Sequence, residues 1–137
     1  VGPLLFDLLA VPVRIDPTRG LLWGPAWWCA VVLSVALEAA WRCRGWPAAV
    51  LVVLAVLDLG WRTPSVFANP AWNASFAVLF LLAAVVLCWT VGTGSPRWWP
   101  VLVACASVVA QCHLFLVVPA FLLVVAGLFL GRCILIR

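Results

Sequence analysis

The chain alternates between apolar runs and short polar breaks. Its opening run, "GPLLFDLLAVPVRI" from Gly2 to Ile15, is too short to cross a bilayer, carries Asp7 at its centre and is interrupted at Pro12. That pattern predicts an amphipathic helix over residues 1–15 lying at a membrane interface. "DPTRG", Asp16 to Gly20, is a turn. Five apolar runs follow, over about 21–40, 46–59, 72–91, 98–111 and 114–130. The longer ones approach the roughly 17–25 residues that a helical crossing needs. They are divided by "RCRG" at Arg42–Gly45, "RTPSVFANPAWN" at Arg62–Asn73, "GTGSPR" at Gly92–Arg97, and a break carrying Gln111 and His113. Tryptophans cluster at the run ends, with Trp23, Trp27 and Trp28 before Trp41, and Trp46 before Trp61, which suits side chains at headgroup level. No alternation of apolar and polar residues supports a transmembrane barrel.

Composition turns this pattern into a class. With 68% hydrophobic and 9% charged residues, the 137 residues hold too little polar surface to coat a water-soluble domain. The expected fold is all-α, an integral membrane helical bundle of about five transmembrane helices preceded by the short interfacial helix. The whole of 1–137 is expected to be one transmembrane segment of a larger polytopic protein, with membrane lipid and the remaining helices of that bundle as its partners. The net charge of +4 rests on arginines scattered singly or in pairs, whereas a nucleic-acid surface gathers its charge into a patch. Cys29, Cys88 and Cys105 lie inside apolar runs, where a cysteine packs as a small apolar group. There is no CxxC and only one histidine, so neither a metal site nor a cofactor is expected.

Charge also orients the runs. Arg42, Arg44, Arg97, Arg132 and Arg137 fall on one side of alternating breaks, and Arg14, Arg19 and Arg62 on the other. The positive-inside rule then predicts a multi-pass plasma-membrane protein with residues 1–20, 62–71 and 111–113 outside. Among the acids, Glu38 has Arg42 four residues on, Asp58 has Arg62 at the same spacing, and Asp16 has Arg19 three residues on, so all three read as paired. Asp7 has no such partner. It is either a solvated residue on the polar face of its helix or a functional acid at the interface. Gln111 and His113 likewise either cap a tight hairpin or face an external cavity. Asn73 reads as a helix-start or loop residue rather than as a glycosylation sequon, and "GTG" at Gly92 lacks the context of a nucleotide loop.

Three stretches resemble a known family. "GPLLFDLLAVPVRI" resembles a His-Pro-Gly-Pro-Leu segment and its helix, "NPAWNASFAVLFLLAAVVLCW" a Trp-Asn-Pro loop and the next span, and "VVAQCHLFLVVPAFL" a Gln-Thr-His turn and span. All three belong to actinobacterial-type polytopic membrane glycosyltransferase-like proteins of the GT-C superfamily, related to the polyprenyl-phosphate-mannose-dependent mannosyltransferases. Val1, Cys112 and Ala74 depart from those patterns. The resemblance covers Val1 to about Leu130 and implies a lipid-linked sugar donor and hexosyl transfer. It also implies that the catalytic acid lies in an external loop upstream of this chain, so it assigns no base here and does not transfer that role to Asp7. What this chain would supply is the extracytoplasmic wall of the site, with Asp7, Trp72, Asn73, Gln111 and His113 as candidate substrate-binding residues. Two other readings stand beside it: a non-catalytic polytopic protein, either transporter or scaffold, and a truncated inactive fragment.

Overall fold

Every apolar run is helical in the computed structural model, which describes residues 3–64 and 73–135 and, within them, the side chains of residues 6–64 and 76–131. Helix α1 spans Pro3–Ile15, α2 Gly20–Arg44, α3 Trp46–Arg62, α4 Asn73–Gly92, α5 Trp99–Cys112 and α6 Val117–Leu135. Single 3-10 turns at Pro96–Trp98 and Leu114–Leu116 lead into α5 and α6. Among the described residues there is no strand, and the fold is all-α. Two stretches, Gly20–Arg44 and Leu114–Gly131, are long and apolar enough to cross a membrane, and Phe76–Gly92 is a shorter apolar helix.

The helices end where local chemistry ends them. Gly45 takes φ 73°, a left-handed value open to glycine at little cost, and so lets α2 turn straight into α3. Prolines in the first turns of α3 and α5 stand where a helical N–H has no partner to lose. The expected pairing of Asp16 with Arg19 is corrected: Asp16 Oδ1 instead accepts the backbone N–H groups of Thr18 and Arg19, each at 3.0 Å. A short side chain satisfies two free donors at the start of α2 more readily than it holds an exposed guanidinium. The other two pairs form as spaced, Arg62 Nε donating to Asp58 Oδ2 at 2.8 Å and Arg42 to Glu38, all four side chains exposed.

Helix α4 is the centre of the bundle, packing against α2, α5 and α6. Its Phe76, Ala77, Ala83, Ala84 and Leu87 are buried, and so are Ala36 and Ala39 of α2. Alanine lets two backbones approach closely, which is how helices associate where lipid tails remove the hydrophobic incentive. Glycine does the same for α6. A Cβ on Gly127 would stand 3.0 Å from Leu102 Cδ2 of α5, and one on Gly131 3.6 Å from Val91 of α4. Thr90, buried in α4, donates back to the Leu87 carbonyl at 2.8 Å and so brings no unsatisfied hydroxyl into the core. Helix α3 is peripheral, seated on α2 through Ala40, Ala48 and Val52, with Leu51, Leu54, Leu57 and Trp61 exposed.

Helix α1 folds back along α2. Buried Pro12 packs on Gly24, where a Cβ would meet its ring at 2.7 Å, and its carbonyl oxygen would stand 2.4 Å from a Cβ on Gly20. One turn earlier, the Trp28 indole Nε1 donates to the Leu8 carbonyl at 2.7 Å. Proline explains that bond. Pro12 has no N–H to give the carbonyl four residues before it, so Leu8 lacks its helical donor and a side chain from α2 supplies one.

Candidate functional site

Three contacts fix how the helices are registered. Cys43 Sγ lies 2.9 Å from Thr93 Oγ1, so α2 and α4 run parallel with an offset of 50 residues. A similar offset holds nearer the other end, where Phe80 shares a cavity wall with Val31 and Val32. A Cβ on Gly127 of α6 would touch both Leu102 of α5 and Cys88 of α4, which puts these three at one level. Helix α6 runs parallel to α4, since Gly131 likewise meets Val91, and α5 runs antiparallel to both, its Val103 to Ala110 lining a cavity with Val124 back to Val117 of α6. Counting along antiparallel α5 from Leu102, Cys112 falls level with about Trp28 of α2. Trp28 is eight residues on from Gly20, or about 12 Å along a helix of 1.5 Å rise. The α5–α6 turn is therefore recessed by that distance below the α1–α2 turn.

The candidate residues can now be placed. Asn73 is the first described residue of α4, and its side chain lies outside the described residues, as does the whole of Trp72. Gln111 is half-buried in the last turn of α5. It lies seven residues, two turns, beyond Ala104 and therefore on the same face of that helix. His113 ends α5 in an extended conformation, φ −148° and ψ 121°, with an exposed ring tilted 33° to Phe115 at 5.8 Å. Asp7 precedes Leu8, the residue bonded to Trp28, so it sits at about the level of the recessed turn. It is exposed and makes no hydrogen bond or ion pair among the described residues. Asn73, Gln111 and His113 share one end of the bundle, and Asp7 belongs to the wall that rises beside it.

Next to this turn is a cavity that the sequence did not announce. It is a half-open cavity of about 210 Å³ between α1, α2, α4 and α5. Val31, Val32 and Val35 of α2 face Val101, Ala104, Cys105 and Val108 of α5, with Phe80, Leu8 and Trp28 completing the wall. Both stripes step by three and four residues, the spacing of a single helical face. Apart from one thiol and the indole N–H that Trp28 commits to Leu8, the lining is hydrocarbon. The row through Ala104 leads to Gln111, so the apolar slot has an amide at its recessed-turn end.

Such a slot takes hydrocarbon and offers nothing for acid–base chemistry. No group of three or more His, Cys, Asp or Glu side chains converges on a metal position among the described residues. The chain matches no known family, curated protein or solved structure. Sequence reading missed the two small-xxx-small motifs, "GLLWG" at Gly20–Gly24 and "GLFLG" at Gly127–Gly131, that seat α1 and α6. Their spacing was the available signal.

Proposed function

We propose that this chain is part of a membrane glycosyltransferase-like protein, where it forms the outer-leaflet wall of a site for a polyprenyl-phosphate sugar. In this reading α2 to α6 are five crossings of the plasma membrane. The end carrying Arg42, Arg44 and Arg97 faces the cytoplasm, and the rest of the parent bundle covers the remaining faces. The observation that supports it is the recessed Gln111/His113 turn beside a wholly apolar slot.

A polyprenyl-phosphate sugar is a long apolar chain ending in a polar headgroup. A cavity of about 150 Å³ lined by apolar residues stays dry and accepts benzene. The slot here, about 210 Å³, therefore has room for on the order of one or two isoprene units. The headgroup would stand in the recess above it, where the Gln111 amide and the His113 imidazole offer hydrogen bonds and Asp7 faces the same depth from the α1 wall. Such groups bind and orient; the general base that deprotonates the acceptor hydroxyl is expected from outside this chain.

The test is sugar transfer from the lipid-linked donor by the full-length protein. His113→Ala removes the recess imidazole, and Ala104→Phe fills the slot without touching the recess. Each is expected to raise the donor KM about tenfold while leaving kcat within twofold. Unchanged donor KM in both variants would remove the assignment.

A further inference from the structure

The opposite end of the bundle carries charge that its own acids do not neutralise. The Cys43–Thr93 contact at 2.9 Å joins the α2–α3 turn to the α4–α5 turn, which brings Arg42, Arg44 and Arg97 to one end. Glu38 is the sole acid at that end among the described residues, and Arg42 occupies it. Arg44 and Arg97 are exposed and form no ion pair among the described residues. Arg97 rests over the Trp98 ring, 5.5 Å from its centroid, which holds the guanidinium near the apolar boundary. Trp41 and Trp46 are exposed beside the arginines. At the other end Asp58 accepts Arg62, and Asp16 and Asp7 offset Arg14 and Arg19.

Unpaired guanidiniums between exposed indoles match one partner chemistry. A guanidinium donates two parallel hydrogen bonds to phosphate oxygens, and indole rings settle at the headgroup level of a bilayer. Each cationic residue near a membrane surface draws anionic lipid into its vicinity. We propose that the α2–α3 and α4–α5 turns bind the headgroup of an anionic phospholipid in the adjacent leaflet. Arg44 and Arg97 engage its phosphate, and Trp41 and Trp46 lie against its glycerol region. The site rests on the membrane reading above but not on glycosyl transfer.

The experiment uses the full-length protein in nanodiscs of mixed phosphatidylglycerol and phosphatidylcholine, with lipid selectivity read by native mass spectrometry of the released complexes. Arg44→Gln and Arg97→Gln are each expected to lower the preference for phosphatidylglycerol about fivefold, and together about twentyfold. Arg44→Lys with Arg97→Lys, which keeps the charge, retains most of it. Arg14→Gln with Arg19→Gln, at the other end, leaves it unchanged. A melt of each variant in phosphatidylcholine alone confirms that it folds. Equal preference in wild type and the double glutamine variant overturns the proposal, and so does an equal loss in the Arg14/Arg19 control. Millimolar inorganic phosphate that abolishes the lipid preference marks a free-anion site instead and overturns the lipid assignment. If alkaline carbonate extracts the protein from its membrane, the membrane reading itself has failed. An integral protein without lipid preference defeats this proposal alone.

Discussion

Among the contacts that hold α1 against α2 is one hydrogen bond whose removal has a calculable effect. Pro12 leaves the Leu8 carbonyl without a helical donor, and Trp28 Nε1 reaches it at 2.7 Å from α2. Trp28→Phe keeps an aromatic ring and removes the donor. A part-buried carbonyl stripped of its partner costs about 1–3 kcal/mol, while hydrogen bonds between membrane helices average about 0.6 kcal/mol. A short bond to a carbonyl with no alternative belongs near the meeting point of those ranges, at about 1 kcal/mol. Pro12→Ala makes the test specific. Alanine restores the N–H that serves Leu8 within α1 and keeps the Cβ that packs near Gly24, so the indole bond becomes redundant. In that background Trp28→Phe is expected to cost only the packing lost with the smaller ring. That loss is common to both backgrounds and cancels in a double-mutant cycle. The coupling energy is therefore the bond, about 1 kcal/mol, read from sodium dodecyl sulfate titrations in dodecylmaltoside micelles followed by far-UV circular dichroism. Costs that add to within about 0.3 kcal/mol would show that proline and indole act independently, and the reasoning fails.

Gly20→Ala places a methyl 2.4 Å from the Pro12 carbonyl oxygen, an atom that cannot rotate away. It is expected to destabilise the same unfolding transition by about 1–3 kcal/mol. Gly131→Ala, whose Cβ meets Val91 at 3.6 Å, is expected to be nearly neutral, and equal effects of the two would refute the seating of α1. In a background free of the six native cysteines, Thr18→Cys is expected to react with an impermeant maleimide added outside cells, and Gly45→Cys only after permeabilisation. Labelling of both from outside would refute the proposed orientation.

Helix positions were legible in the sequence because each polar break stands where a helix has to end. "RCRG" closes α2 at the left-handed Gly45, and Gly92 closes α4 where "GTGSPR" begins. The pairs Glu38–Arg42 and Asp58–Arg62 were legible too, since spacing on one helix decides them. Asp16 was misread because spacing says nothing about free backbone N–H groups competing for the same oxygen. Trp28 read as a headgroup tryptophan, yet its role is set by Pro12, sixteen positions away and on a different helix. The apolar slot was hidden for a related reason: valines at helical spacing look alike whether they face lipid, a neighbouring helix or a void. Which of these applies depends on inter-helix register, and no local pattern carries it.

Register also gives meaning to helix length. α2 has 25 residues and α5 has 14, about 37 and 21 Å of helix. Lengths alone are compatible with a tilted short helix reaching the same surface as a long upright one. The Cys43–Thr93 and Gly127–Leu102 contacts remove that freedom by aligning the two helices near the arginine end, so most of the difference appears at the other end as the recess. The turn at its floor is not built for bulk water, because Leu114 and Phe115 are each 83% exposed. Burying two such side chains is worth about 1.5–3 kcal/mol each, a strong incentive for an apolar partner to cover that tip. A recess whose floor is greasy at its rim and polar at Gln111 and His113 suits a ligand that is itself part hydrocarbon and part headgroup. It suits a freely soluble sugar much less, since such a ligand would leave the Leu114–Phe115 edge in contact with water.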